Sequence, residues 1–164
     1  MAQAKNIFLV EDDEADRQFF MKALKEIDDS ICITRAENGI EALTKLHKMD
    51  LLPDLIFMDI NMPLMNGFEC LTQLKKQIRL RNIPVVILTT SNNLVEVERA
   101  SVLGANFFLR KPSLFSLIKM NLISLLNIYF PQIIDKQKNH DDPKDPAFPA
   151  DMEPHIIALS DGLS

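Results

Sequence analysis

Five short apolar runs recur along the chain, and a stretch with helical spacing follows each of them. The runs are NIFLV at 6–10, ICITR at 31–35, DLIFM at 54–58, VVILT at 85–89 and NFFLR at 106–110. They are largely continuous rather than alternating, as strands buried on both faces should be. Between them, Phe19, Phe20, Ala23, Leu24 and Ile27 recur on one side of a predicted helix over 14–27. Ala42, Leu43, Leu46 and Met49 mark a second helix, and Phe68, Leu71, Leu74 and Ile78 a third. Val95, Ala100 and Leu103 mark a fourth, stopped by Gly104, and residues 113–130 form the last. Strands alternating with helices imply a parallel sheet, joined by right-handed crossovers and covered by helices on both faces. The expected fold is therefore a three-layer α/β sandwich built from five βα units.

Composition bounds the rest. The 164 residues are 47% apolar, enough for one domain with a proper core and some excess. No apolar run approaches the roughly 20 residues that span a bilayer, and MAQAKNIFLVEDD does not read as a leader peptide. The two cysteines, Cys32 and Cys70, lack metal-ligand spacing, so a reducing, cytoplasmic setting without a membrane partner is expected. A formal net charge of −5 argues against a nucleic-acid binder. From Pro131 onward three lysines face seven acids, and five of the nine prolines lie there. Residues 1–130 are expected to form the domain and 131–164 an acidic, mostly disordered tail, in which HIIAL at 155–159 is able to form one short element.

In open α/β sheets ligands bind beyond the carboxyl ends of the strands. Glu11 and Asp12 follow the first strand, Asp59 the third, Thr89 the fourth and Lys111 the fifth. Three carboxylates crowded together repel unless a cation sits among them. Their hard oxygens suit Mg²⁺, which binds through few carboxylates and also takes phosphate oxygens. A carboxylate can serve as a covalent nucleophile toward a phosphoryl group, and such transfer needs mainly positioning and charge neutralisation. Taken singly, each residue has a bland explanation as a cap, a turn or a strand former. Asp13 and Asp16 are read that way, as residues favouring a helix N-terminus. Four strands that each end in the required type, in the required order, are not explained so easily.

The stretches LVEDDEADR, FMDINMPLMNG, VVILTTS and LRKP together resemble the response-regulator receiver family of two-component signalling, over residues 5–130. That resemblance implies the flavodoxin-like strand order 2-1-3-4-5. It implies that Asp59 is the phosphoacceptor, that Glu11 and Asp12 are the acidic pair for Mg²⁺, and that Asn61 offers its backbone carbonyl to the metal. It further implies that Thr89 is the switch hydroxyl, Lys111 its basic partner and Phe108 the aromatic switch position. The implied partner is a sensor histidine kinase. The stretches IPVVILTTS and LGAN, with the Tyr129-Phe130 region, are similar to single-domain regulators paired with bacterial phytochromes. The acidic pair is Glu-Asp rather than Asp-Asp, and Phe108 lacks the hydroxyl of the frequent tyrosine.

Such a protein is a phospho-switch rather than an enzyme acting on other substrates. The tail is too short and too acidic for a DNA-binding module, so output by protein–protein contact is expected, with a role as phosphorelay intermediate or phosphate sink as the alternative. A Mg²⁺-dependent phosphohydrolase is disfavoured, because Asn61 stands where a general acid would be needed. A pseudo-receiver is disfavoured because the acids, Asp59 and Lys111 are all present. In the last helix, Leu114, Ile118, Leu122, Leu125 and Tyr129 form a core stripe, whereas Met120, Ile123 and Phe130 fall on the far side. That second apolar ridge suggests a homodimer or partner contact through helix four, strand five and helix five.

Overall fold

The computed structural model describes residues 5–131 and 156–159. Its strands are β1 (Asn6–Val10), β2 (Cys32–Ala36), β3 (Leu55–Asp59), β4 (Val85–Thr89), β5 (Phe107–Arg110) and β6 (Ile156–Ala158). The helices are α1 (Glu14–Ile27), α2 (Gly39–Lys48), α3 (Gly67–Lys75), α4 (Leu94–Val102) and α5 (Phe115–Tyr129). The sheet order is β2-β1-β3-β4-β5-β6, parallel from β2 to β5, so the expected 2-1-3-4-5 arrangement is the one found.

Alternate residues of each strand feed two separate cores. Phe8, Val10, Ile56, Met58, Val85, Ile87 and Phe108 face one side, together with buried residues of α2, α3 and α4. Ile7, Leu9, Leu55, Phe57, Val86, Leu88 and Leu109 face the other, together with α1 and α5. All five residues of β3 and of β4 are buried, which is why those runs show no polar alternation. Side chains close the helix starts: Asp13, Asn38, Asn66 and Asn93 each accept a backbone N–H from the first turn of the helix that follows.

Several expected core positions lie elsewhere. α3 stops at Lys75, which leaves Ile78 exposed, and Val95 points outward from the first turn of α4. Leu114 is the exposed N-cap of α5 rather than part of its stripe. Ile123 and Phe130, expected to stand away from the core, pack partly against it, and Met120 is half-buried. The reason is that α5 is covered on two sides. It lies on the sheet and also beside α1, where the Phe19 and Phe115 rings meet edge to face at 5.1 Å. A helix held by two neighbours buries a wider arc than a single stripe.

The sixth strand comes from within HIIAL; the rest of 132–164 lies outside the described residues. β6 runs antiparallel to β5, pairing Phe107 with Ala158, Phe108 with Ile157 and Leu109 with Ile156. Leu159 donates its N–H to the Asn106 carbonyl at 3.0 Å and inserts its side chain, only 8% exposed, into the core beside α4. An otherwise open edge strand is thereby paired. Within the sheet β6 is bonded to β5 alone, so a defect in it can cost no more than its docking contributes. Leu159→Asp and removal of residues 132–164 should therefore give the same loss, about 1–3 kcal/mol or a few degrees in Tm. Thermal melts followed by circular dichroism check this, and a truncated chain melting with the full one would show that the strand adds nothing.

Candidate functional site

The carboxyl ends of β1, β3, β4 and β5 open onto one edge of the sheet. Glu11 immediately follows β1 and is buried, while Asp12 beside it is exposed. Asp59 is the last residue of β3 and is buried. One carboxylate oxygen from each of the three lies within 4.8 Å of the others. Lys111, just past β5, brings its ammonium to Glu11 Oε2 at 2.6 Å, Asp16 Oδ2 at 3.0 Å and Asp59 Oδ1 at 3.5 Å. Sequence order therefore translates into a compact cluster of opposed charges.

Each group is held from behind. Glu11 Oε1 accepts the Asp13 N–H at 3.2 Å, and the Glu11 N–H donates to the Ala36 carbonyl of β2. Asp59 Oδ1 accepts the N–H of Ile60 at 2.9 Å. The Lys111 N–H donates to the Thr89 carbonyl at 2.7 Å, tying the β5 end to the β4 end. Gly67 opens α3 directly against β3: its N–H donates to the Ile60 carbonyl at 2.9 Å, and a Cβ there would come within 2.2 Å of the Asp59 carbonyl oxygen.

Thr89 is fully buried at the end of β4, and its Oγ1 accepts the Ser91 N–H at 3.0 Å. By strand alternation it faces the α2-α3-α4 side, as Phe108 does, whereas Asp59 faces the α1-α5 side. Phe108 is buried in the core three residues before Lys111 and does not join the charged cluster. Asn61 sits exposed at the start of the loop between β3 and α3.

Two functional neighbours escape a reading of the sequence. Arg17, a buried cation on α1, donates from Nη1 to the Glu11 carbonyl at 2.7 Å and braces the acidic loop from below. Asp16, read as a helix-start residue, instead turns its carboxylate to Lys111. The cap itself is Asp13, whose Oδ1 accepts the Asp16 N–H at 2.8 Å. A charged residue one turn into a helix carries no mark of which strand end it will face, so only tertiary geometry separates the two aspartates.

The electrostatics follow from the crowding. Burial, with the Asp59 charge adding to it, pushes the Glu11 carboxyl up to about 7 against the pull of Lys111. Burial likewise raises the Asp59 pKa, with Lys111 opposing. Burial would lower the Lys111 pKa, but the Glu11 hydrogen bond and the Asp59 charge more than offset it and hold the amine protonated. Hard carboxylate oxygens that resist shedding their protons suit a small divalent cation, which would replace the missing positive charge.

The model of the response regulator receiver domain matches residues 7–122. This chain belongs to the response-regulator receiver family. The response regulator Rcp1 of Synechocystis sp. (strain ATCC 27184 / PCC 6803 / Kazusa) is 37% identical over 124 residues, which cover 71% of this chain and 83% of that protein. The crystal structure of the phosphorylated cyanobacterial phytochrome response regulator RcpA superposes with a TM-score of 0.73 at 29% identity, covering 79% of this chain and 96% of that one. The Mn²⁺-bound form of Rcp1 gives a TM-score of 0.67 at 30% identity, covering 76% and 94%. No helix among the described residues is long and apolar enough to cross a membrane.

Two outcomes follow for this receiver. Gly67→Ala forces the α3 start away from the Asp59 peptide, so it should destabilise by about 1–3 kcal/mol and weaken metal binding; urea unfolding and a metal titration check both. The second concerns pH. Glu11 has a folded pKa of about 7, above its ordinary 4.5, so its contribution to stability is complete below pH 4.5 and is lost as pH rises through 7. Asp59 acts in the same direction. In chelator, the receiver should therefore unfold at lower urea at pH 8 than at pH 5.5, and saturating Mg²⁺ should narrow the gap.

Proposed function

We propose that Asp59 accepts a phosphoryl group from the phosphohistidine of a sensor kinase, with Mg²⁺ held by Glu11, Asp12, Asp59 and the Asn61 backbone carbonyl. The observation that carries this reading is the Lys111 ammonium within 3.5 Å of Asp59 Oδ1, beside three carboxylates whose oxygens cluster within 4.8 Å. An Asp59 oxygen attacks phosphorus, the phosphorus–nitrogen bond to the kinase histidine breaks, and the imidazole leaves with the bonding pair. Mg²⁺, when bound, supplies positive charge to the phosphoryl oxygens. Lys111 offers its N–H groups to one of those oxygens. Thr89 Oγ1 accepts from Ser91, which leaves its own proton free to be donated to another.

Transfer of Thr89 toward the phosphoryl group would empty space on the α4 side, where Phe108 is packed. The signal is then a shift between two packings of β4, α4 and β5. Output runs through protein contact, with relay or sink behaviour as the variant reading. The face formed by α4, β5 and α5 is the surface for a second copy or a partner. Because β6 closes the β5 edge, the contact falls on side chains of α4 and α5, where Leu94, Val102 and Ile128 are exposed. The likeness to RcpA and Rcp1 supports a phytochrome-type kinase as the donor and a cytoplasmic setting.

Incubation with phosphorylated histidine kinases, or with acetyl phosphate, tests the reading. Wild type should take up label only with Mg²⁺ or Mn²⁺. Asp59→Asn, equal in size, should fold and take up none, and Asp12→Ala should lose the metal response at millimolar Mg²⁺. Full labelling of Asp59→Asn would remove Asp59 from the acceptor role.

A further inference from the structure

The three oxygens around Lys111 are not equivalent. Glu11 and Asp16 lie at close hydrogen-bonding distance, 2.6 and 3.0 Å, and Asp59 lies at 3.5 Å, the outer limit of one. The ammonium is therefore drawn toward α1 and off the Asp59 carboxylate. Of the two groups that draw it, Glu11 belongs to the metal-binding trio and Asp16 does not. A cation held by that trio would compete with Lys111 for Glu11, whereas Asp16 stands outside the trio and keeps its oxygen for Lys111. The Asp16 side chain is 50% exposed and accepts from Lys111 alone among the described residues. It does no capping, since Asp13 performs that task.

We infer that Asp16 is a positioning residue, a carboxylate outside the metal cluster that holds the Lys111 ammonium away from Asp59 until a phosphoryl group takes it over. The inference rests on the phosphoacceptor reading above. In the resting receiver this hold keeps Asp59 Oδ1 clear of a full hydrogen bond to the ammonium, which would blunt its nucleophilicity. On phosphorylation Asp16 becomes a competitor, because the phosphoryl oxygens must draw the ammonium away from it. Asp16 thus lowers the affinity of the site for a phosphoryl group by the strength of one half-exposed ion pair.

Removing the competitor should tighten binding of a phosphoryl mimic. In calorimetric titrations of the full chain with beryllofluoride at saturating Mg²⁺, Asp16→Asn should bind about two- to five-fold tighter than wild type, the range of an exposed ion pair. Asp16→Glu, which keeps the charge, should restore much of the wild-type value. Glu14→Gln removes a carboxylate of the same helical turn that contacts no cation among the described residues, and it measures the effect of net charge alone. Its shift should be clearly smaller. In a Lys111→Met background the Asp16→Asn effect should shrink to that of Glu14→Gln, as a contact acting through the ammonium requires. Melting temperatures should stay level across the Asp16 and Glu14 variants. An Asp16→Asn protein that binds beryllofluoride no tighter than Glu14→Gln overturns the inference while leaving Asp59 as acceptor. A wild type that binds no beryllofluoride at all overturns the phosphoacceptor reading itself.

Discussion

One ammonium makes this strand-end edge possible. Glu11, Asp12 and Asp59 converge because the parallel sheet delivers the ends of β1 and β3 side by side, and the backbone N–H groups of Asp13 and Ile60 relieve their repulsion only in part. Lys111 relieves it further from the far strand, β5, by reaching back to Glu11 and Asp59. Two unit charges about 4 Å apart interact by roughly 4 kcal/mol in a partly buried setting, so its loss would leave the acids to gather protons instead. The supporting bonds then serve to hold that geometry. Arg17 fixes the loop that carries Glu11, and the Lys111 N–H fixes the β5 end to β4.

The pleat divides the labour between the two faces. Asp59 continues the row of β3 residues that faces α1 and α5, and α1 contributes both Arg17 and Asp16 to the surroundings of the cluster. Thr89 continues the opposite row of β4, on the side of α4 and Phe108. The Asp59 and Thr89 side chains thus leave neighbouring strand ends toward opposite faces of one sheet, at the same edge. Register between those strands is what couples them, and Asp59 stands opposite Leu88, immediately before Thr89.

Most of the architecture was legible because strands buried on both faces leave unbroken apolar runs, and because a ligand edge selects residue type at each strand end. That logic singles out Glu11, Asp12, Asp59, Thr89 and Lys111, and the structure brings the three acids and Lys111 together. The misreadings share a cause. Ile78, Val95 and Leu114 continue an apolar pattern past the point where a helix end or cap turns the chain outward. Helical periodicity places Ile123 and Phe130 away from the core because it gives a direction but not the number of neighbours, and α5 has both a sheet and α1 against it. Asp16 and Arg17 were hidden for a related reason: on a helix rich in charge, composition does not say which residue will meet a distant strand end. β6 was foreseen only as an unplaced element, since a three-residue strand carries too little pattern to name its partner.

The order of the site along the chain has a bearing on how the protein is born. All three acids precede residue 60, whereas their counter-ion is Lys111, and the Glu11–Lys111 bond spans 100 positions. Synthesis from the N-terminus presents the anionic half first. Closing so long a loop costs chain entropy that only the docked β5 strand offsets. A nascent chain paused before β5 therefore holds the three acids without their ammonium, and docking of the last parallel strand completes the charged cluster.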